Sequence, residues 1–198
     1  MVLAGLFATL LFLGLVVADW FQFTRLFSGA GTYGFVIGRG EDQLPLIPWT
    51  RVIDRFDRTG VLRLPHGVAR FIHEHRRILL RPQAHRFRTA WPINGSIEIV
   101  PDDNGARLTW AKRVPWSSAV LTLVWFAVVV VGTLTFGITF ALNGGFSSLG
   151  GLVIAAGIAG LGLLVFAFGL ITVSLAYRLE NHRLAQVYQE LRAALLEA

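Results

Sequence analysis

Cysteine is missing from this sequence. Disulfides, thiolate nucleophiles and cysteine-ligated zinc or iron–sulfur sites are therefore excluded. Lysine is almost missing too, Lys112 being the only one. Charge as a whole is scarce: 15% of residues are charged, against roughly a quarter in ordinary soluble domains. Catalytic fingerprints are also lacking. No P-loop, dinucleotide-binding motif or Ser–His–Asp order is present. Gly38 and Gly40 form a lone glycine pair followed by Glu41 and Asp42, whose charges would repel a phosphate. Asp102 and Asp103 look like a carboxylate pair, but "DDNG" is better explained as turn chemistry.

What the chain has is apolar surface. Hydrophobic residues make up 54% of it, and the mean hydropathy is +0.59. Residues 116–142 and 149–177 carry no charge, and each exceeds the ~20 residues that cross a bilayer. The neutral "NGGFSS" between them predicts a transmembrane hairpin. Without an ionisable group in either segment, a proton pump, ion-coupled transporter or intramembrane protease lacks its usual chemistry. Residues 2–18 are apolar but shorter, and run into Trp20, Phe21 and Phe23, which resemble an interfacial belt. The expectation is a third span. A cleaved signal peptide is the alternative: Val16 and Ala18 suit cleavage, but a basic n-region is lacking.

The formal charge is +6 and the pI about 11.0. In a membrane protein such charge reports orientation and contact with anionic lipid, so no nucleic-acid partner is expected. Arg25, Lys112, Arg113 and Arg178 flank the apolar segments. With three spans they fall on one side. That predicts a multi-pass protein of the inner (plasma) membrane, N-terminus outside and C-terminus cytoplasmic. The expected fold class is membrane α-helical, with three transmembrane helices, an inserted all-β cytoplasmic domain and a C-terminal amphipathic helix. The corresponding boundaries are 1–25, 26–113, 114–177 and 178–198.

Within 26–113, β-formers alternate with turn residues, predicting about six or seven short strands and little helix. "TYGFVIG" and "TGVLRLP" read as strands. Prolines 45 and 48 make the start of "LPLIPWTRVIDRFD" extended or turned. The clearest hairpin joins strand 95–100, where Ile97 and Ile99 oppose Glu98, to strand 106–113, where Leu108 and Trp110 share a face.

"RFIHEHRRILLRP", residues 70–82, poses the sharpest question. As one strand it would put His73 and His75 on a single face, a candidate metal pair with His66 or His85 as further ligands. Neither face of that strand is cleanly apolar. A hairpin with "HEHR" at its tip is preferred, although it lacks Gly, Asn or Asp there. His182 is expected to be exposed. No cofactor is expected and no residue is assigned catalysis.

Two features suggest helix packing or a partner interface. Small residues recur at four-residue spacing, Gly151, Ala155 and Ala159 in one row, Ala156 and Gly160 in another. Beyond residue 178, Leu184, Val187, Leu191 and Leu195 form one stripe of a helix. That stripe would pack on the cytoplasmic domain, on a second copy or on a partner.

The run 70–82, "FRTAWPINGSIEI" and a return strand entering an apolar helix resemble uncharacterised bacterial membrane proteins with a small pleckstrin-homology-like β domain. The resemblance spans roughly residues 60–130 and rests on Phe71, Arg81, Pro82, Pro92 and Gly95. It implies a fold and no activity. The leading expectation is a non-catalytic subunit that assembles or stabilises a complex of integral membrane proteins, with homo-oligomers possible. The alternatives are a membrane-anchored lipid- or ligand-sensing module, whose basic domain meets anionic lipids, and a histidine-ligated metalloenzyme. The basic excess lies in the domain: fifteen Lys/Arg against nine Asp/Glu from 19 to 115.

Overall fold

Strands β2 (Val61–Leu64), β3 (Gly67–Ile72), β4 (Arg77–Pro82), β5 (Asn94–Asp102) and β6 (Gly105–Val114) form an antiparallel meander. β1 (Phe35–Leu44), the first strand in the chain, pairs with the last, so the sheet order is β1-β6-β5-β4-β3-β2. The computed structural model describes residues 2–25, 31–44, 49–83, 89, 91–102 and 105–196. The helices are α1 (Val2–Arg25), α2 (Trp49–Asp54), α3 (Trp116–Leu142) and α4 (Leu149–Leu196). The chain divides into two units, residues 1–119 with 178–198, and residues 120–177.

This corrects the expected fold class. Among the described residues the protein is mixed α/β with one six-stranded sheet, and two helices, not three, are long and apolar enough to cross a membrane. Among the described residues, the apolar stretch of α1 is Thr9–Gln22, too short for ~30 Å of hydrocarbon. Nor is the sheet domain all-β. α2 contributes Val52, while Phe56 follows it into the core; the start of that segment, residues 45–48, read as extended or turned, lies outside the described residues. The separate C-terminal helix does not exist either: α4 is one helix of 48 residues.

The core forms on one face of the sheet. Phe71, Ile78, Leu80, Ile97, Ile99 and Leu108 point to that face by strict alternation along their strands, and are all buried. Leu184, Val187, Leu191 and Leu195 of α4 cover them, each at most 4% exposed. Gly67 makes this closeness possible. A Cβ there would lie 2.6 Å from Val187 and 2.7 Å from the Arg81 carbonyl oxygen. His66, in the preceding turn, binds Glu190 of α4 through its backbone N–H and its ring Nδ1.

The β5–β6 hairpin runs from Asn94↔Arg113 to Asp102↔Gly105; residues 103–104 lie outside the described residues. The β3–β4 hairpin settles the reading of residues 70–82. Its tip is a single 3-10 turn, His73–His75, and Arg76 takes the left-handed position (φ 46°) that a glycine would usually fill. We expect Arg76→Gly to stabilise the sheet unit by up to ~1 kcal/mol, since a non-glycine residue pays ~1–2 kcal/mol there and glycine loses part of that in entropy. Equilibrium unfolding would check it. A destabilised variant would mean that Arg76's side-chain contacts outweigh its backbone cost.

In the other unit, α3 and the first part of α4 form the apolar hairpin. Phe126 meets Phe166 edge-on at 5.0 Å. Gly162 lies against Thr133, and Gly169 against Trp125. The hydroxyls of Thr133, Thr139 and Thr172 donate to the carbonyls four residues earlier, at 2.7, 2.8 and 2.9 Å. No hydroxyl of these three is left bare toward hydrocarbon. Most of the large apolar side chains of both helices are exposed.

Candidate anion-binding face

The face of the sheet away from the core is arginine-rich. Alternation and register place Arg39 (β1), Arg63 (β2), Arg70 (β3), Arg77 and Arg81 (β4), and Arg107 and Arg113 (β6) on it. Register places three acids, Glu41, Glu98 and Asp102, in the same rows as these seven arginines. The lone lysine is not among them. Lys112 points to the core side, donates to Asn181 of α4 at 2.6 Å and lies 4.8 Å from the Trp110 ring centre. Burial lowers its pKa.

The arginines at the centre are held in place. Arg77 pairs with Glu98 at 2.9 Å, and Arg113 donates to the Ser96 hydroxyl at 2.7 Å. Beneath them Val68, Ile72 and Leu79 make a small apolar cluster. The segment beginning at Gly31 lies on Arg77 and Leu79, with room for no side chain: a Cβ would stand 2.8 Å from Arg77. Burial, then the positive charges of Arg77 and Arg39, lower the pKa of Arg113. Its buried Nε has no hydrogen-bond partner among the described residues.

A cleft of about 240 Å³ in the same unit is lined by Asp19, Trp20, Arg81, Ser117 and Glu180 among others, so Arg81 belongs to its wall as well as to the arginine rows. Both its acids are occupied. Glu180 accepts from Thr89 at 3.0 Å and Arg183 at 2.7 Å. Asp19, 4% exposed, accepts from the backbone N–H groups of Trp116 at 3.3 Å and Ser117 at 2.5 Å. It thereby caps the N-terminus of α3 from another helix. Tyr33 also donates to Asp19, and burial followed by that bond pushes its pKa up to about 12.

The residues singled out from sequence are dispersed. His73 and His75 are both exposed, with the His73 ring against Phe71 at 4.6 Å. Among the described residues no group of three or more potential ligands gathers; His85 lies outside them. Leu184, Val187, Leu191 and Leu195 are consumed by the unit's own core. Gly151 abuts the carbonyl of Gly145, while Ala156, Ala159 and Gly160 are exposed and Ala155 half-buried. The rows therefore split, one edge turned inward and the other outward.

The arginine face escaped the sequence reading. Its signal is Arg77 with Arg81, and Arg107 with Arg113, at even spacings on strands, which becomes a face only once register joins them. No protein-family model, curated protein or solved structure matches the chain. Fold and site define a class: a mixed α/β unit with a basic sheet face, joined to a helical hairpin apolar enough for a membrane.

Proposed function

We propose that the protein is a non-catalytic, membrane-anchored module that engages anionic groups through the outer face of its sheet. The observation that carries this is the imbalance of seven arginines to three acids on one face. Guanidinium forks suit phosphate and carboxylate. The hairpin would cross the inner membrane twice. Lys112 and Arg113 before it and Arg178 after it favour a cytoplasmic sheet unit. Because segments on both sides of the hairpin build one sheet unit, both must emerge on the same side.

The absence of cysteine makes the test clean. Val100, 45% exposed, stands on the outer face opposite Arg107. Val100→Cys with an environment-sensitive dye, in nanodiscs, should report a shift in anionic but not neutral lipid. Salt at about 0.5 M should abolish it, since the screening length then falls to a few ångström. Arg39→Glu with Arg107→Glu should do the same. Identical spectra in neutral and anionic discs would sink the proposal.

A second reading, the assembly subunit, draws on a specific feature of the hairpin. Gly132, Gly157 and Gly160 have nothing within 4 Å of where a side chain would begin. Such positions admit close approach by another helix. Gly157→Leu with Gly160→Leu should release a co-purifying membrane protein or second copy. Retention of every partner would remove this reading.

A further inference from the structure

We infer that the outer face contains one discrete site for a phosphate monoester dianion, bounded by Arg39, Arg77 and Arg113 with the Ser96 hydroxyl at its floor. This deepens the proposed function and rests on it, because the face must be open to ligand. Three observations point here. Register sets Ser96 beside Ala111 and Ala111 beside Arg39, so two of the face's smallest side chains are neighbours in its middle. Arg113 lies diagonally from Ser96 and reaches its hydroxyl at 2.7 Å, and Arg77, one strand over, is held by Glu98 at 2.9 Å. Long guanidinium arms thus surround a low floor, with Ser96 7% exposed and the segment from Gly31 walling the Arg77 side.

The charges do not close among themselves. Three guanidiniums less the Glu98 carboxylate leave two positive charges at one place. Like charges brought together out of water are costly without a counter-charge. Arg113 is half-buried among them, yet its Nε has no acceptor among the described residues. An anion of charge close to −2 with several acceptor oxygens satisfies both deficits. A phosphate monoester has that charge near neutral pH. A diester carries one negative charge and fewer free oxygens. A monoester free in solution and one in a lipid headgroup present the same recognition chemistry.

The full chain in nanodiscs, dye-labelled at Val100→Cys, separates the possibilities. One arm adds inorganic phosphate to neutral discs. The other compares discs of phosphatidic acid and of phosphatidylglycerol at matched surface charge. We expect a response to the dianionic probe, inorganic phosphate or phosphatidic acid, in at least one arm, on the order of tenfold tighter than to the diester surface, as one lost charge-assisted hydrogen bond would give. Response to free phosphate alone assigns a soluble ligand. Preference for phosphatidic acid assigns a lipid. Arg113→Lys, which keeps the charge and loses the fork, and Ser96→Ala should each erase the preference. Both should retain the salt-sensitive response to phosphatidylglycerol and the parent's circular dichroism. Equal responses to monoester and diester would overturn the site and leave the broader face standing. No response to any anion would overturn both.

Discussion

A chain ended at Tyr177 loses its sheet domain, although it keeps all six strands and both apolar helices. The deletion removes Leu184, Val187, Leu191 and Leu195, which are buried against the sheet. Removing a single buried Leu to Ala costs ~2–5 kcal/mol. Three such leucines and a valine together match the ~5–15 kcal/mol by which a domain is stable. The bonds from Glu190 to His66 and from Asn181 to Lys112 go with them. Trypsin in mild detergent is the check, because arginines lie throughout the domain. The full chain should resist and the shortened one should be cut back to the apolar hairpin. Equal resistance would mean that the sheet face is covered by something else. Val187→Asp tests the same contact with one residue. Val187 is fully buried over Gly67, where an unpaired carboxylate has neither water nor partner.

Asp19→Ala is expected to destabilise the sheet unit by about 2–4 kcal/mol, the next largest effect. The first backbone N–H groups of a helix have no partner within it. Those of Trp116 and Ser117 are satisfied by Asp19. Losing a cap costs ~1 kcal/mol, and each buried amide left bare ~1–3 kcal/mol. Asp19→Asn keeps one acceptor oxygen and should lose roughly half as much. Trp20, Trp91, Trp110 and Trp116 give a fluorescence signal for denaturant unfolding. An unchanged midpoint in Asp19→Ala would show that α1 contributes nothing to the unit.

Asp19 also shows where sequence stops informing. In the sequence it is an acid at the edge of a hydrophobic run, and hydropathy reads such a run as a span. Its bonds to residues 97 and 98 positions away have no local trace. By contrast the β5–β6 hairpin, the apolar hairpin and the stripe from Leu184 to Leu195 were legible, because each rests on local periodicity or turn chemistry. The stripe's destination was not, since an apolar face says that it is covered and not by what. The 70–82 hairpin was legible in spite of its tip, because scattered charges made a single strand implausible; that Arg76 accepts a left-handed backbone is visible only in the coordinates. Gly40, singled out with a phosphate loop in mind, serves packing: Trp110 lies across it, 2.2 Å from where a Cβ would stand.

The position of β1 has a consequence for how the protein is made. A ribosome delivers β1 long before β6, its only neighbour in the sheet, and delivers the core-covering end of α4 last. At ~5–20 residues per second, the interval from Val114 to Leu195 is on the order of 4 to 16 seconds. Throughout it, the nascent sheet presents an uncovered apolar face while the apolar hairpin is being synthesised. The domain is thus born unfinished. Its completion waits on the hairpin's emergence, which leaves a window in which a holdase can act on it.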